Sequence, residues 1–164
     1  MWALVWMWAC AGAPPSPSCD EPTDTATRFT CGGELTLTVG TGEVTWEELA
    51  DGVLPLVRGS QGAQHVPLSL RLAVEPETLV VDRATATITP RRADDGAVIE
   101  PFALGVGLAP APEGVEAIGV RVVFPDAGEV VGRTMEIAVS VAPVGLGGEG
   151  RAVVRGVVTW AGSP

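Results

Sequence analysis

The stretch His65-Val66-Pro67-Leu68-Ser69-Leu70-Arg71-Leu72-Ala73-Val74 alternates large apolar residues with polar or small ones without a break. Successive side chains of an extended chain point to opposite faces. Val66, Leu68, Leu70, Leu72 and Val74 therefore share one face, and His65, Pro67, Ser69, Arg71 and Ala73 the other. A helix would scatter the same five apolar residues around its axis. The pattern predicts a strand of an antiparallel sheet with one face on a core and the other toward water.

The same period recurs on both sides of this strand. It is present in Leu35/Leu37/Val39, Phe102/Leu104/Val106/Leu108, Ile118/Val120/Val122/Phe124, Met135/Ile137/Val139/Val141 and Ala152/Val154/Val158/Trp160, with shorter candidates at Leu54 to Val57 and Ala84 to Ile88. Turn signals separate them: Gly40-Thr41-Gly42, Asp51-Gly52, Asp94-Asp95-Gly96, Pro110 to Gly114, Pro125 to Gly128 and Gly145 to Gly150. Short strands at this spacing, with no sustained helical period, predict an all-β chain. The expected architecture is an immunoglobulin/fibronectin-like antiparallel two-sheet sandwich, and a small β-barrel is the alternative. Neither Cys19 nor Cys31 lies within the later strands, so the likeness to immunoglobulin domains is one of architecture alone. Trp46-Glu47-Glu48-Leu49-Ala50 reads as one helical turn.

A chain of 164 residues accommodates one domain, and a chain near that length buries roughly 70% of its unfolded surface. The hydrophobic fraction of 46% against 18% charged excludes disorder, while 21 Gly and 14 Pro fit many turns between short strands. Every basic residue is Arg; Lys, Asn and Tyr are absent, as codon bias in a GC-rich genome would produce. Their absence excludes a Schiff-base lysine, a Lys-containing phosphate loop, a tyrosyl acid and an N-glycosylation acceptor. A net charge of −10 repels a phosphate backbone, so no nucleic-acid partner is expected.

The first nine residues, Met1 to Ala9, are uncharged and carry three tryptophans. They read as the apolar part of an export signal, too short for the about 20 residues that span a bilayer. No Arg precedes the run, so a translation start upstream of Met1 is expected. Ala9 just before Cys10 and Met7 three before it resemble a bacterial lipobox, with Trp8 in place of the usual small residue. Lipidation of Cys10, with the lipid bilayer as partner, is the leading expectation. Ordinary cleavage after Ala11, where Ala9-Cys10-Ala11 gives small-x-small, and an uncut chain are the alternatives. Ala11 to Thr30 is rich in Pro, Ser, Thr and acids and reads as a tether, leaving residues 31–164 as the domain. Cys19 and Cys31 can pair, closing a loop of about 13 residues worth roughly 3 kcal/mol; two free thiols are the other reading.

Chemistry is sparse. His65 is the sole histidine, so any Ser-His-Asp or Cys-His arrangement would need it, and its place beside the polar loop Gly59 to Gln64 suits a loop or edge residue making one hydrogen bond. No nucleophile-elbow motif is present. Glu47/Glu48 and Asp94/Asp95 are adjacent pairs that point to opposite faces of a strand, and Asp94-Asp95-Gly96 is better explained as a hairpin turn. Arg91-Arg92 beside Asp94-Asp95 reads as a solvated turn with local charge compensation. Two Cys and one His fall short of a zinc site; a calcium site from Asp94, Asp95 or Asp126 lacks the spaced acidic loop. No catalytic residue, metal or cofactor is expected. Trp46 is the one aromatic that could serve a ligand, against the reading of a cap over the sheet.

The segment Gly40-Thr41-Gly42, Trp46, Leu49, Asp51-Gly52, Leu54-Pro55-Leu56-Val57-Arg58-Gly59 and Gln61-Gly62-Ala63-Gln64-His65-Val66 resembles a group of uncharacterised predicted lipoproteins from GC-rich Gram-negative bacteria. That resemblance, over about a sixth of the chain, implies a cell-envelope β-sandwich and carries no activity with it. Its glycines suit tight turns and close backbone approach. Any binding there would use a polar lip of Arg58, Gln61, Gln64 and His65, with Trp46 nearby. The expected function is that of a non-enzymatic envelope lipoprotein, exported and held at the outer membrane, whose sandwich is a structural or protein-interaction module with other envelope proteins as partners. The alternative is a Ca²⁺- or carbohydrate-binding module using loops at one end.

Overall fold

The computed structural model describes residues 29–31, 35–50, 52–59, 62–73, 81–112, 114–145 and 148–162. Ten strands follow one another: β1 (Phe29–Cys31), β2 (Thr36–Thr41), β3 (Val53–Arg58), β4 (Gln64–Ala73), β5 (Arg83–Arg92), β6 (Phe102–Gly107), β7 (Ala109–Ala111), β8 (Gly114–Phe124), β9 (Thr134–Pro143) and β10 (Gly150–Trp160). A 3₁₀ turn, Ala127–Glu129, lies between β8 and β9, with the Asp126 carboxylate accepting from the Gly128 N–H. The chain is all-β and sandwich-like.

Hydrogen bonding runs β6-β5-β9-β10-β3-β4-β8-β7, with β1 added to β10 and β2 to β4. One layer is β6-β5-β9-β10 and the other β2-β4-β8-β7. β3 serves both: Val53 to Leu56 pair parallel with Val157 to Trp160 of β10, then Val57 and Arg58 pair antiparallel with His65 and Gln64 of β4. The β3–β10 pair is the parallel exception in a sandwich expected to be wholly antiparallel. Beyond β6 and β7 the path does not close, so the sheet is open rather than a barrel.

The inner faces carry the alternating residues. Leu37, Leu56, Val66, Leu68, Ile88, Val122, Phe124, Met135, Ile137 and Val158 are among the fully buried side chains. β4 is the centre of its layer, and Pro67 within it is tolerated for a local reason. The Pro67 carbonyl points to the edge shared by β3 and β2, where it accepts from the Thr41 hydroxyl at 2.8 Å. The missing N–H faces that same edge, at the seam between the β3 pairing, which ends at His65, and the β2 pairing, which begins at Leu68. No ladder bond is lost there.

Four sequence expectations are corrected. His65, Pro67 and Ser69 do not face water: β4 is buried on both sides, because residues 42–46 form a flap across its outer face. Gly40 and Thr41 belong to β2, and only Gly42, at φ +112°, makes the turn. Trp46 to Ala50 is not helical; Glu47 makes a β-bridge to Thr41, with both backbone hydrogen bonds in place (2.8 and 2.9 Å). In β8 a bulge sets Ile118 and Gly119 opposite Ser69, so Ala117 takes the core position expected for Ile118. The sequence also missed β7 and β1, the latter beginning at Phe29 inside the stretch read as tether.

Candidate functional site

The nominated lip residues are divided by the period of the strand that carries them. Gln64 and Arg58 are register partners and share a face at one end of the sandwich; His65, the next residue, is paired with Val57 and points the other way. Gln64 Oε1 accepts from the Ala127 N–H at 3.1 Å, which ties the β8–β9 turn to the start of β4. The Arg58 guanidinium lies over the Trp160 ring, 5.3 Å from its centroid. Gln61 lies outside the described residues, as do Cys10 and Cys19 with the leader and most of the tether; Cys31 is placed by its backbone, opposite Arg151 of β10.

His65 is 2% exposed, a core residue of a central strand rather than an edge one. Its Nε2 lies 3.1 Å from Glu43 Oε1 on the flap, and because an ionised carboxylate only accepts, the ring donates. The same flap is fastened by Ser69 Oγ donating to the Gly42 carbonyl at 3.3 Å. Trp46 closes it. Its ring lies against the Gly40 backbone, where a Cβ would come within 2.8 Å of Cζ2, and it stacks on Arg71 with the guanidinium carbon 4.2 Å from the ring centroid. Arg71 in turn donates to Glu116 Oε2 through Nε (3.3 Å) and Nη2 (2.9 Å). His65→Ala is expected to lower stability by about 1–3 kcal/mol by orphaning this contact and vacating buried volume. Glu43→Ala, at an exposed carboxylate, should cost less than about 1 kcal/mol. Chemical denaturation of the two variants checks the order.

The remaining charges are mostly matched. Glu136 sits between its cross-strand neighbours Arg91 (2.6 Å) and Arg155 (3.8 Å). At the hairpin after β5, Arg92 pairs with Asp95, whose carboxylate also accepts from the Ala97 N–H; that N–H and Arg92 hold the carboxyl below its ordinary pKa. Glu149 is likewise held low, by Ser140 first and then Arg151.

A feature that no local pattern announces is a cleft of about 310 Å³ between the two open edges of the sandwich. Leu104, Val106 and Gly107 of β6 form one wall; Ala117 to Arg121 of β8 form the other. Among the described residues β8 is covered on this side at Gly114 to Glu116 alone, by β7. Among the described residues, Ala117 to Phe124 and the far edge of β6 have no strand partner. The signal that could have found it is indirect: the Ile118-Gly119 bulge and the small residues Ala103, Gly105 and Gly107 on β6 mark strand edges that are not continued.

Among the described residues no three His, Cys, Asp or Glu side chains are grouped to hold a metal ion, and no helix is long and apolar enough to cross a membrane. The fold defines an all-β, sandwich-like domain. Comparison with protein-family models, curated proteins and solved structures finds no match.

Proposed function

We propose that the chain is a non-enzymatic envelope lipoprotein, tethered to the bilayer through Cys10, whose sandwich is a protein-interaction or structural module. One observation carries the non-enzymatic part: the described residues of the polar lip and its surroundings are engaged in holding the fold. His65 is buried against the flap acid Glu43, Gln64 holds the 127–129 turn, and Arg58 and Arg71 are stacked on tryptophans. A general base must reach a substrate proton, and a side chain 2% exposed does not. Attachment rests on the uncharged run Met1 to Ala9 ahead of Cys10 and on the Pro-rich stretch that follows.

Membrane fractionation tests the attachment. The native chain should sediment with membranes and the Cys10→Ser variant should move to the soluble fraction, since one signal is lost with the lipid chains. A variant still in the membrane fraction would remove the lipid anchor from this reading.

A further inference from the structure

We infer that the cleft between β6 and β8 is a binding site for one extended, carboxylate-bearing peptide strand of another protein, which pairs with the free edge of β8. This deepens the interaction-module reading and rests on it only in requiring that the module bind protein.

Three observations converge. Among the described residues nothing pairs with the outer edge of Ala117 to Phe124, so its backbone donors and acceptors are open to an added strand. The walls below that edge are apolar, with Leu104, Val106, Ala117 and Val120 facing inward, so alternate side chains of the guest have an apolar floor. The one charged residue lining the cleft is positive, in a chain of net charge −10. Arg121 lines the cleft, is exposed, and has no side-chain partner among the described residues. Arg83, opposite Gly107 at the start of β5, is also exposed but does not line the cleft. The nearby acids are turned away, Glu43 to His65 and Glu116 to Arg71. Asp82 adjoins Arg83 in the chain and offsets its charge, which leaves Arg121 as the principal cation.

The alternation of β8 fixes the pattern of the guest. Val120 and Val122 point inward and Arg121 outward, so the guest places apolar side chains at every second position and a carboxylate between two of them, beside Arg121.

The probe is an acetylated and amidated heptapeptide, Thr-Val-Glu-Val-Glu-Val-Thr, titrated into the full chain and followed by amide chemical shifts and hydrogen exchange. The expected result is saturable binding, with new protection confined to residues 102–107 and 117–124. Replacing both Glu of the peptide by Lys, or making Arg121→Glu at this exposed position, should weaken binding about fivefold. The peptide N-methylated on alternate residues should not bind. No saturable change up to millimolar peptide, protection elsewhere, or indifference to charge reversal would each overturn the inference. So would protection of the same amides that grows with protein concentration alone, since that would assign the edges to a second copy. Attachment through Cys10 is read by fractionation, so failure of either idea leaves the other standing.

Discussion

Replacing Phe124 by alanine is expected to lower the free energy of unfolding by about 3–5 kcal/mol, the range for emptying a well-packed aromatic site. Phe124 is 1% exposed and is the last inward residue of β8, opposite Gln64. It closes the core at the end where Gln64 holds the 127–129 turn and Arg58 covers Trp160. The cavity has little room to collapse, because β4 is held from both sides by β8 and by β2 and β3. Val123→Ala, one residue earlier and 49% exposed, should change stability by no more than about 0.5 kcal/mol. The contrast reports the register of β8 after its bulge: slipped by one residue, the strand would exchange the two positions and reverse the order of the losses. Urea unfolding with equal slopes in the two variants makes the comparison direct. Equal losses at both sites would contradict the assigned faces.

The strands were legible because their signal is local. Val66 to Leu72 and Met135 to Val141 alternate without interruption, one face of each meets the core, and period two needs no knowledge of partners. The readings that failed are those decided by a segment remote in the chain. His65, Pro67 and Ser69 obey the alternation, but their exposure depends on a flap more than twenty residues upstream, as the separation of the Thr41–Pro67 and Ser69–Gly42 contacts records. Gly40 looks like a turn residue; it pairs with Ser69 in β2, and a Cβ there would run into the Glu47 carbonyl oxygen and the Trp46 ring. The described residues of the polar lip are divided for the opposite reason. Gln64 and His65 are neighbours in sequence, and the same period that identified the strand sends them to different faces. The cleft was invisible because it lies between two edges, β6 and β8, that have no strand partner among the described residues and that the sequence does not place side by side.

Gly119→Ala is the substitution that probes how the flap is held. Gly119 lies at φ +70°, in the left-handed region, and a Cβ there would sit 2.7 Å from the Glu43 carbonyl oxygen. Backbone cannot yield as a flexible side chain tip would, so either the bulge or the flap must shift. The left-handed conformation and the collision together should cost about 2–4 kcal/mol. Gly132→Ala separates the two contributions: at φ +77° with nothing within 4 Å of the added carbon, it should lose only the conformational part, about 1–2 kcal/mol. The excess at Gly119 is then the work of displacing the flap. Its site can be read independently, because the Thr41 and Glu47 amides are bonded to each other's carbonyls at the flap's base. Hydrogen exchange of those two amides should accelerate in Gly119→Ala and stay unchanged in Gly132→Ala. Should the bulge move instead, exchange would rise in Ala117 to Val120 with the base of the flap intact, and β8 would be the weaker of the two contacts.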